Sequence, residues 1–323
     1  QAIFAVAGTV IMVIISKIDY RIYVQKLPFL PIKPIFFLYM VCIGLQLYLV
    51  LFGATTGGSQ RWIELGSFGK FQPSEISKIC VLLLTAYIVK LSPRRLNHIG
   101  GFIRVLTIMA PLIILVVWEN FSTALVMGVM MVAICFVATS NKKYYIVIAL
   151  ALVAAAILFI VLFPYRLERI NIWRDIENHP KGYQILQGLY AIASGGLFGK
   201  GLGQGVQKLG YIPEAHNDMI FSTICEELGL VGAFAVLFLF VLPLWRIFII
   251  AINAPDLFGS LIATGVMAHI AVQVLINVAV VTNTIPSTGI PLPFISYGGS
   301  SLLVLMMEMG IVLSVSNQIK LQK

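Results

Sequence analysis

Residues 213–245 read PEAHNDMIFSTICEELGLVGAFAVLFLFVLPLW. The stretch opens as a knot of ionisable groups and ends as a long apolar run. Such a run is a membrane-spanning helix, because only an element that satisfies its own backbone hydrogen bonds persists in hydrocarbon. The polar opening then lies at a membrane boundary, where a carboxylate is unfavourable unless something accounts for it. Asp218 is the residue to be accounted for.

Working outward, comparable apolar segments fall at roughly 3–16, 35–54, 73–91, 102–118, 121–139, 144–163, 258–281 and 300–317, which with 218–245 makes nine. The chain is 59% hydrophobic and only 11% charged, against about a quarter charged in soluble domains. The expectation is an all-α, polytopic integral membrane protein, a single domain over 1–323 with nine transmembrane helices. One set of connections carries Lys17, Arg21, Lys26, Lys33, Lys90, Arg94, Arg95, Arg104, Lys142, Lys143, Arg246, Lys320 and Lys323 against only Asp19 and Asp256. By the positive-inside rule that set is cytoplasmic. The net charge of +9 is therefore a topology signal and not a nucleic-acid footprint. The outward face receives loops at about 55–72, 164–217 and 282–299. The first apolar run is short and begins at Gln1, so a further span is expected upstream.

The 164–217 loop is expected to be structured. Ile185, Leu186, Leu189, Tyr190, Ile192 and Ala193 recur at helical spacing, as in an interfacial amphipathic helix. A glycine run follows from Gly195 to Gly205, with no G-x-G-x-x-G register and no Ser or Thr after Lys200. It is therefore not a nucleotide loop but a flexible or tightly turned one. Cys42, Cys80, Cys135 and Cys225 lie in apolar segments and read as inert buried thiols.

Four groups could carry chemistry. Asp218 opens the seventh span. At 100° per residue Ser222 and Cys225 share its side, Glu226 lies about 80° away and Glu227 nearly opposite, so neither glutamate is a simple second carboxylate. Gln72-Pro73-Ser74-Glu75 opens the third span, and Glu75 and Lys78 are placed to pair at i, i+3. Arg61, beside Trp62, has a fork suited to phosphate. The loop Pro286–Ser301, dense in Pro and Gly yet apolar, reads as a cavity wall, because irregular backbone at membrane depth must line a cavity or be buried in protein. His269 and Glu308 lie within spans at depths that match poorly, so separate partners are expected for each.

At these residues the chain resembles the SEDS family, the FtsW/RodA/SpoVE proteins. The resemblance rests on Gln60-Arg61-Trp62 through Lys78, on Pro213–Asp218 through Gly229, and on Gly289–Ser301. Gly182-Tyr183-Gln184, Gly195–Gly203 and Gln207-Lys208 look most like the division branch, FtsW. Departures are Glu119-Asn120-Phe121-Ser122, where the family usually has Pro-Asp-x-Gly, then Asn217 in place of Thr, and Glu308, which matches no family motif. The resemblance implies ten spans, the first absent here, and peptidoglycan glycosyltransfer at the outer face of the bacterial cytoplasmic membrane. A sugar hydroxyl of one lipid II attacks a lipid-linked donor and displaces undecaprenyl pyrophosphate. It implies Asp218 as the catalytic acid–base group. Arg61, Gln72, Glu75, Lys78, Lys208, Pro213, Glu214, His216, Ser296, Tyr297, Gly298, Gly299 and Ser300 support or bind substrate. Charge on the leaving group would be met by Arg61, Lys78, Lys208 or a divalent cation, Mg or Mn. The implied partners are a class B penicillin-binding protein, other division proteins, lipid II and membrane lipid. The rival function is a lipid II flippase, with His269, Gln273, Asn277 and Glu308 along its path. The elongation and sporulation paralogues would share the same chemistry.

Overall fold

The computed structural model describes residues 1–28, 30–56, 59–64, 70–162 and 164–319. Lys320, Lys323 and residues 57, 58 and 65–69 of the first outward loop lie outside the described residues. A helix occupies each expected apolar segment: α1 (Ala2–Lys17), α2 (Pro34–Phe52), α3 (Pro73–Leu91), α4 (Ile99–Glu119), α5 (Phe121–Ala138) and α6 (Lys143–Leu162), then α9 (Ile220–Asn253), α10 (Leu257–Val281) and α11 (Gly299–Asn317). Between α6 and α9 lie α7 (Pro164–Arg174) and α8 (Tyr183–Gly195). Among the described residues α2, α4, α5, α9, α10 and α11 are long and apolar enough to cross a membrane. The protein is a multi-pass, mainly helical membrane protein.

By their contacts the residues form two compact units, one of 1–146, 246–269 and 299–323, the other of 147–245 and 270–298. In the first, α3 is the central helix, buried almost continuously from Pro73 to Val89 and packed by α2, α4 and α5. Its charged first turn is tolerated because Glu75 and Lys78 pair at 2.9 Å with both side chains buried. Pro73 supplies the preset φ of a first helical position. α1 runs along α11, where Gly8 leaves room for Met306. Just before α10, Asp256 accepts from the Tyr20 hydroxyl at 3.0 Å, the Gly259 amide at 2.8 Å and Arg21 Nε at 3.2 Å.

The all-α expectation needs one amendment. The 55–72 loop carries a three-stranded antiparallel sheet, β1 (Ala54–Thr56), β2 (Ser59–Glu64) and β3 (Lys70–Phe71). Trp62 and Ile63 are residue types that suit a strand, but a hydropathy reading blind to short segments passes over them. A second amendment concerns His269 and Glu308. They do meet, with Nδ1 and Oε2 at 2.6 Å and both residues fully buried. α10 and α11 begin within one residue of the expected segment edges, and positions 269 and 308 both lie near mid-helix, so the expected mismatch in depth was a miscount of rise.

In the second unit, α8 is a helix where one was expected, but of the expected stripe only Ile185 is buried, while Tyr190 and Ala193 are exposed. It buries Ile185, Gly188, Ala191 and Gly195 and exposes Tyr183 and Tyr190. The buried positions, at i, i+3, i+6 and i+10, follow one side of the helix, and it is a side of mostly small residues: a Cβ at Gly188 would meet Met219 at 2.3 Å, and one at Gly195 would meet Cys225 O at 2.0 Å.

Candidate active site

α9 begins at Ile220, so Asp218 precedes the helix and does not sit in its first turn. The approach is a series of turns. Glu214 adopts φ 55°, its carbonyl accepts from the Asn217 amide at 2.9 Å, and its carboxylate accepts from the Asn217 side chain. This turn hangs the backbone of His216–Asp218 on the apolar loop after α10. The His216 carbonyl accepts from the Tyr297 amide at 2.7 Å. The Asn217 carbonyl accepts from Ser296 Oγ at 2.7 Å, and that oxygen itself accepts from the Leu292 amide at 2.7 Å. The Asp218 carbonyl accepts from Asn277 Nδ2 at 2.8 Å, and the same amide donates to Ile290 O at 2.9 Å. Three successive carbonyls are thus fixed by α10 and by the segment that the sequence marked as a wall. Phe294 at φ 63° is a strained position for a bulky residue, and it is kept where the surrounding bonds over-determine the backbone.

The Asp218 side chain is half-buried. Oδ1 accepts from Gln184 Nε2 of α8 at 3.2 Å. A Cβ added at Gly289 would lie 3.9 Å from Oδ2, so a hydrogen there keeps the carboxylate's flank open. Burial pushes the Asp218 carboxyl up to about 6; Glu214 adds to the rise, while its own amide, Arg169 and Gln184 oppose it. A carboxyl titrating there is poised to take a proton near neutral pH. Arg169 on α7 donates to Ser287 O at 2.8 Å and acts on Asp218 through its charge. Gln184, Arg169 and the bridging role of Asn277 were not found from the sequence. Nothing in composition or spacing joins α7 and α8 to position 218.

Further along the chain, the two glutamates do something else. α9 is broken at Gly229 (φ 67°, ψ −168°), and the glycine run fills the break. The amides of Lys200 and Gly201 donate to the carbonyls of Glu226 and Glu227, both at 2.9 Å, and the amides of Leu230 and Val231 donate to Gly196 O and Leu197 O at 3.0 and 3.1 Å. A Cβ on Gly199 would fall 2.2 Å from Glu227 O, which is why glycine stands there. Glu226, fully buried, takes Lys200 Nζ at 2.8 Å and the Val206 amide at 3.0 Å. Glu227 takes the Gly203 amide at 3.0 Å and Lys208 Nζ. The loop is tightly turned, as one of the two expectations had it, and Lys208 is engaged by Glu227.

Of the other residues singled out from the sequence, Pro213 is exposed in the turn before Glu214, and Tyr297 is exposed beside Gly298. Arg61, Gln72, Glu75, Lys78, Gly299 and Ser300 belong to the other unit. There Gln72 caps α3 with its carbonyl on the Glu75 amide at 3.1 Å, Arg61 Nε donates to Glu119 O at 3.2 Å, and Gly299 and Ser300 open α11. Gln46, its amide turned to match donor with acceptor, donates to Glu119 Oε2 at 2.6 Å and accepts from the Ser74 amide and Ser77 Oγ at 3.1 Å each. Among the described residues no cluster of three or more His, Cys, Asp or Glu could hold a metal.

The sequence profile of the cell cycle protein family FtsW/RodA/SpoVE matches residues 1–321. The chain is 38% identical over 323 residues to stage V sporulation protein E of Bacillus subtilis, covering 98% of this chain and 86% of that one. It is 37% identical over 322 residues to the peptidoglycan glycosyltransferase MrdB of Escherichia coli K12 (97% and 84% covered). It is 34% identical over 328 residues to a probable peptidoglycan glycosyltransferase FtsW of Geobacter sulfurreducens (99% and 85%). The three branches match at similar identity. A chain of a solved peptidoglycan synthase complex superposes with a TM-score of 0.81 at 26% identity, covering all of this chain and 90% of that one. The chain belongs to the FtsW/RodA/SpoVE family, whose curated relatives here include named peptidoglycan glycosyltransferases.

Proposed function

We propose that the protein polymerises lipid II into glycan strands at the outer face of the bacterial cytoplasmic membrane, with Asp218 as general base. One observation carries this: a single carboxylate whose backbone is fixed by three successive clasps, with its titration raised to about 6. In the reaction a sugar hydroxyl of one lipid-linked saccharide attacks the anomeric carbon of another. The hydroxyl proton passes to Asp218, the new C–O bond forms, and the donor's anomeric C–O bond breaks with its electron pair leaving on the undecaprenyl pyrophosphate. One direct displacement inverts the anomeric centre and needs no second protein carboxylate, because pyrophosphate leaves without being protonated.

His216, Glu214, Ser296, Tyr297 and Gly298 hold or border Asp218, and Lys208 supports the loop through Glu227. Arg61, Gln72, Glu75 and Lys78, with Gly299 and Ser300, are assigned to substrate binding on the loop-charge reading that puts their segments on the outward side. A magnesium or manganese ion arriving with the donor's pyrophosphate would supply positive charge to the leaving group; among the described residues no cluster of three or more His, Cys, Asp or Glu is set up to hold it. We assign nine spans and an extracytoplasmic 164–217 segment, a single domain, and a class B penicillin-binding transpeptidase as partner together with other division proteins. The likeness to a chain of a peptidoglycan synthase complex supports a partner. The division role rests on the FtsW-like stretches at 182–184, 195–203 and 207–208.

The test is a gel assay of glycan strands made from lipid II in detergent, with and without the transpeptidase, comparing wild type with Asp218→Asn. Loss of polymer from a variant that stays monodisperse supports the reading, and near-normal polymerisation sinks it.

A further inference from the structure

The glycine loop has exposed side chains that the chemistry does not use. Phe198, Leu202 and Leu209 are 81%, 76% and 75% exposed, and Leu197 beside them is also open. These are large apolar groups on a loop whose backbone and charges are held by hydrogen bonds to α9.

The loop's position along α9 accounts for them. The charge-free apolar run from Leu228 to Trp245, bounded by Glu227 and Arg246, is no longer than the roughly 20 residues that a hydrocarbon core requires. Immersing that charge-free run as a whole places Leu230 and Val231 within the hydrocarbon. Those are the residues whose amides bond to Gly196 and Leu197. The loop is consequently tied to the helix at the outer edge of the hydrocarbon, not above it. There the exposed side chains of Leu230, Val231 and Phe234 form the helix's own lipid face.

The two ionic groups that would resist immersion are neutralised, Lys200 by Glu226 and Lys208 by Glu227. The loop's backbone is tied into the break at Gly229, as irregular chain at this depth must be. What is left facing outward is mainly apolar, with Gln204 the exposed uncharged polar side chain.

We propose that residues 196–209 are a membrane-interface anchor whose Phe198, Leu202 and Leu209 side chains insert among the lipid acyl chains of the leaflet on the Asp218 side. The anchor fixes the height of the Gly229 break relative to the bilayer. Through the first turns of α9 it also fixes the height of Asp218, relative to a substrate whose own tail is in that leaflet; this last step rests on the proposed function. The partner is bulk phospholipid. The lipid face of α9 is continuous with the loop, and both lysines of the loop are already paired with carboxylates of α9.

The experiment uses the full chain, with its four buried cysteines replaced by alanine and single cysteines placed at Phe198, Leu202 or Leu209. Each is labelled with an environment-sensitive nitrobenzoxadiazole dye and reconstituted into phosphatidylcholine–phosphatidylglycerol vesicles containing lipids brominated at shallow or deep acyl positions. Leu239→Cys, mid-span and exposed, is the immersed control, and Glu177→Cys, in the polar turn before α8, is the aqueous one. The expected result is blue-shifted emission and shallow-bromine quenching about twofold or more above the Glu177 control at all three loop sites. Adding Gly199→Val, which drives a side chain into Glu227 O, should lower the quenching at Leu202 in a protein that remains monodisperse. Quenching equal to the Glu177 control overturns the proposal. Shielding that arises only when a second protein is added overturns it equally. The readout needs no catalysis, so its failure is distinct from a failure of the polymerase reading.

Discussion

Three carboxylates lie within ten residues of one another, and the protein treats them in opposite ways. Glu226 and Glu227 each receive a lysine and at least one backbone amide. Asp218 receives the neutral amide of Gln184, while its main chain, not its carboxylate, is the part that is clasped. The pairing around the glutamates stabilises their charge and joins a loop to a helix. Burial, with Glu214 nearby, outweighs the charge of Arg169 and raises the proton affinity of Asp218. The carboxylates that build structure are paired with lysines; the one proposed as base is held by its main chain, with burial outweighing the opposing charge of Arg169.

The most severe way to test that contrast is to remove each function in turn. Asp218→Asn should cost about 10²–10⁴-fold in polymerisation, the usual worth of a positioned general base, with no loss of thermal stability. If melting drops by many degrees with the activity, Asp218 is structural like its neighbours and the contrast fails. Glu226→Ala should show the inverse pattern. It leaves the Val206 and Gln207 amides without their acceptor beside a broken helix and Lys200 to solvent, for a loss of about 1–3 kcal/mol, while the residual activity per folded molecule stays within several-fold of wild type. Thermal unfolding in detergent alongside the glycan gel separates the two.

Much of this arrangement could be read in the sequence, and the failures have a common cause. Hydropathy places a helix at every expected segment because membrane burial acts on each segment by itself. The i, i+3 pair of Glu75 and Lys78 was equally visible, since both partners lie on one helix. What escaped depends on where backbone from distant segments meets. Gln184, Arg169 and Asn277 reach the Asp218 turn from three other elements, and the His269–Glu308 pair depends on the relative levels of two helices. Helical phase set Glu226 and Glu227 apart from Asp218, although it started the helix two residues early, and in the structure the two pair with Lys200 and Lys208. Their actual occupation came from carbonyls and amides of a glycine run, which have no side-chain signature at all. The branch of the family escapes for a related reason. Relatives named stage V sporulation protein E, FtsW and MrdB match almost the whole chain at 38%, 34% and 37% identity, so similarity over the whole chain does not separate them.

A finer probe of the same contrast is pH. The Asp218 carboxyl is raised from its ordinary 3.8 to about 6, so polymerisation at limiting substrate should climb through a midpoint near 6 and level off above it. Stability should move the other way. Between about 4 and about 6 the folded chain binds more protons than the unfolded one, so folding weakens as pH rises through that window and is flat beyond it. Asp218→Asn should abolish both dependences. Gln184→Met sharpens the assignment further. It removes a hydrogen bond that favours the charged form and leaves the clasped main chain intact. The acid limb should therefore shift to higher pH by less than about one unit, with several-fold lower activity at pH 6 and near-normal activity at pH 8. A shift to lower pH would mean that Gln184 favours the protonated acid, and a uniform loss at every pH would make it a packing residue. Only the predicted tilt of the profile identifies Asp218 as a base whose proton affinity is set by what the fold withholds from it.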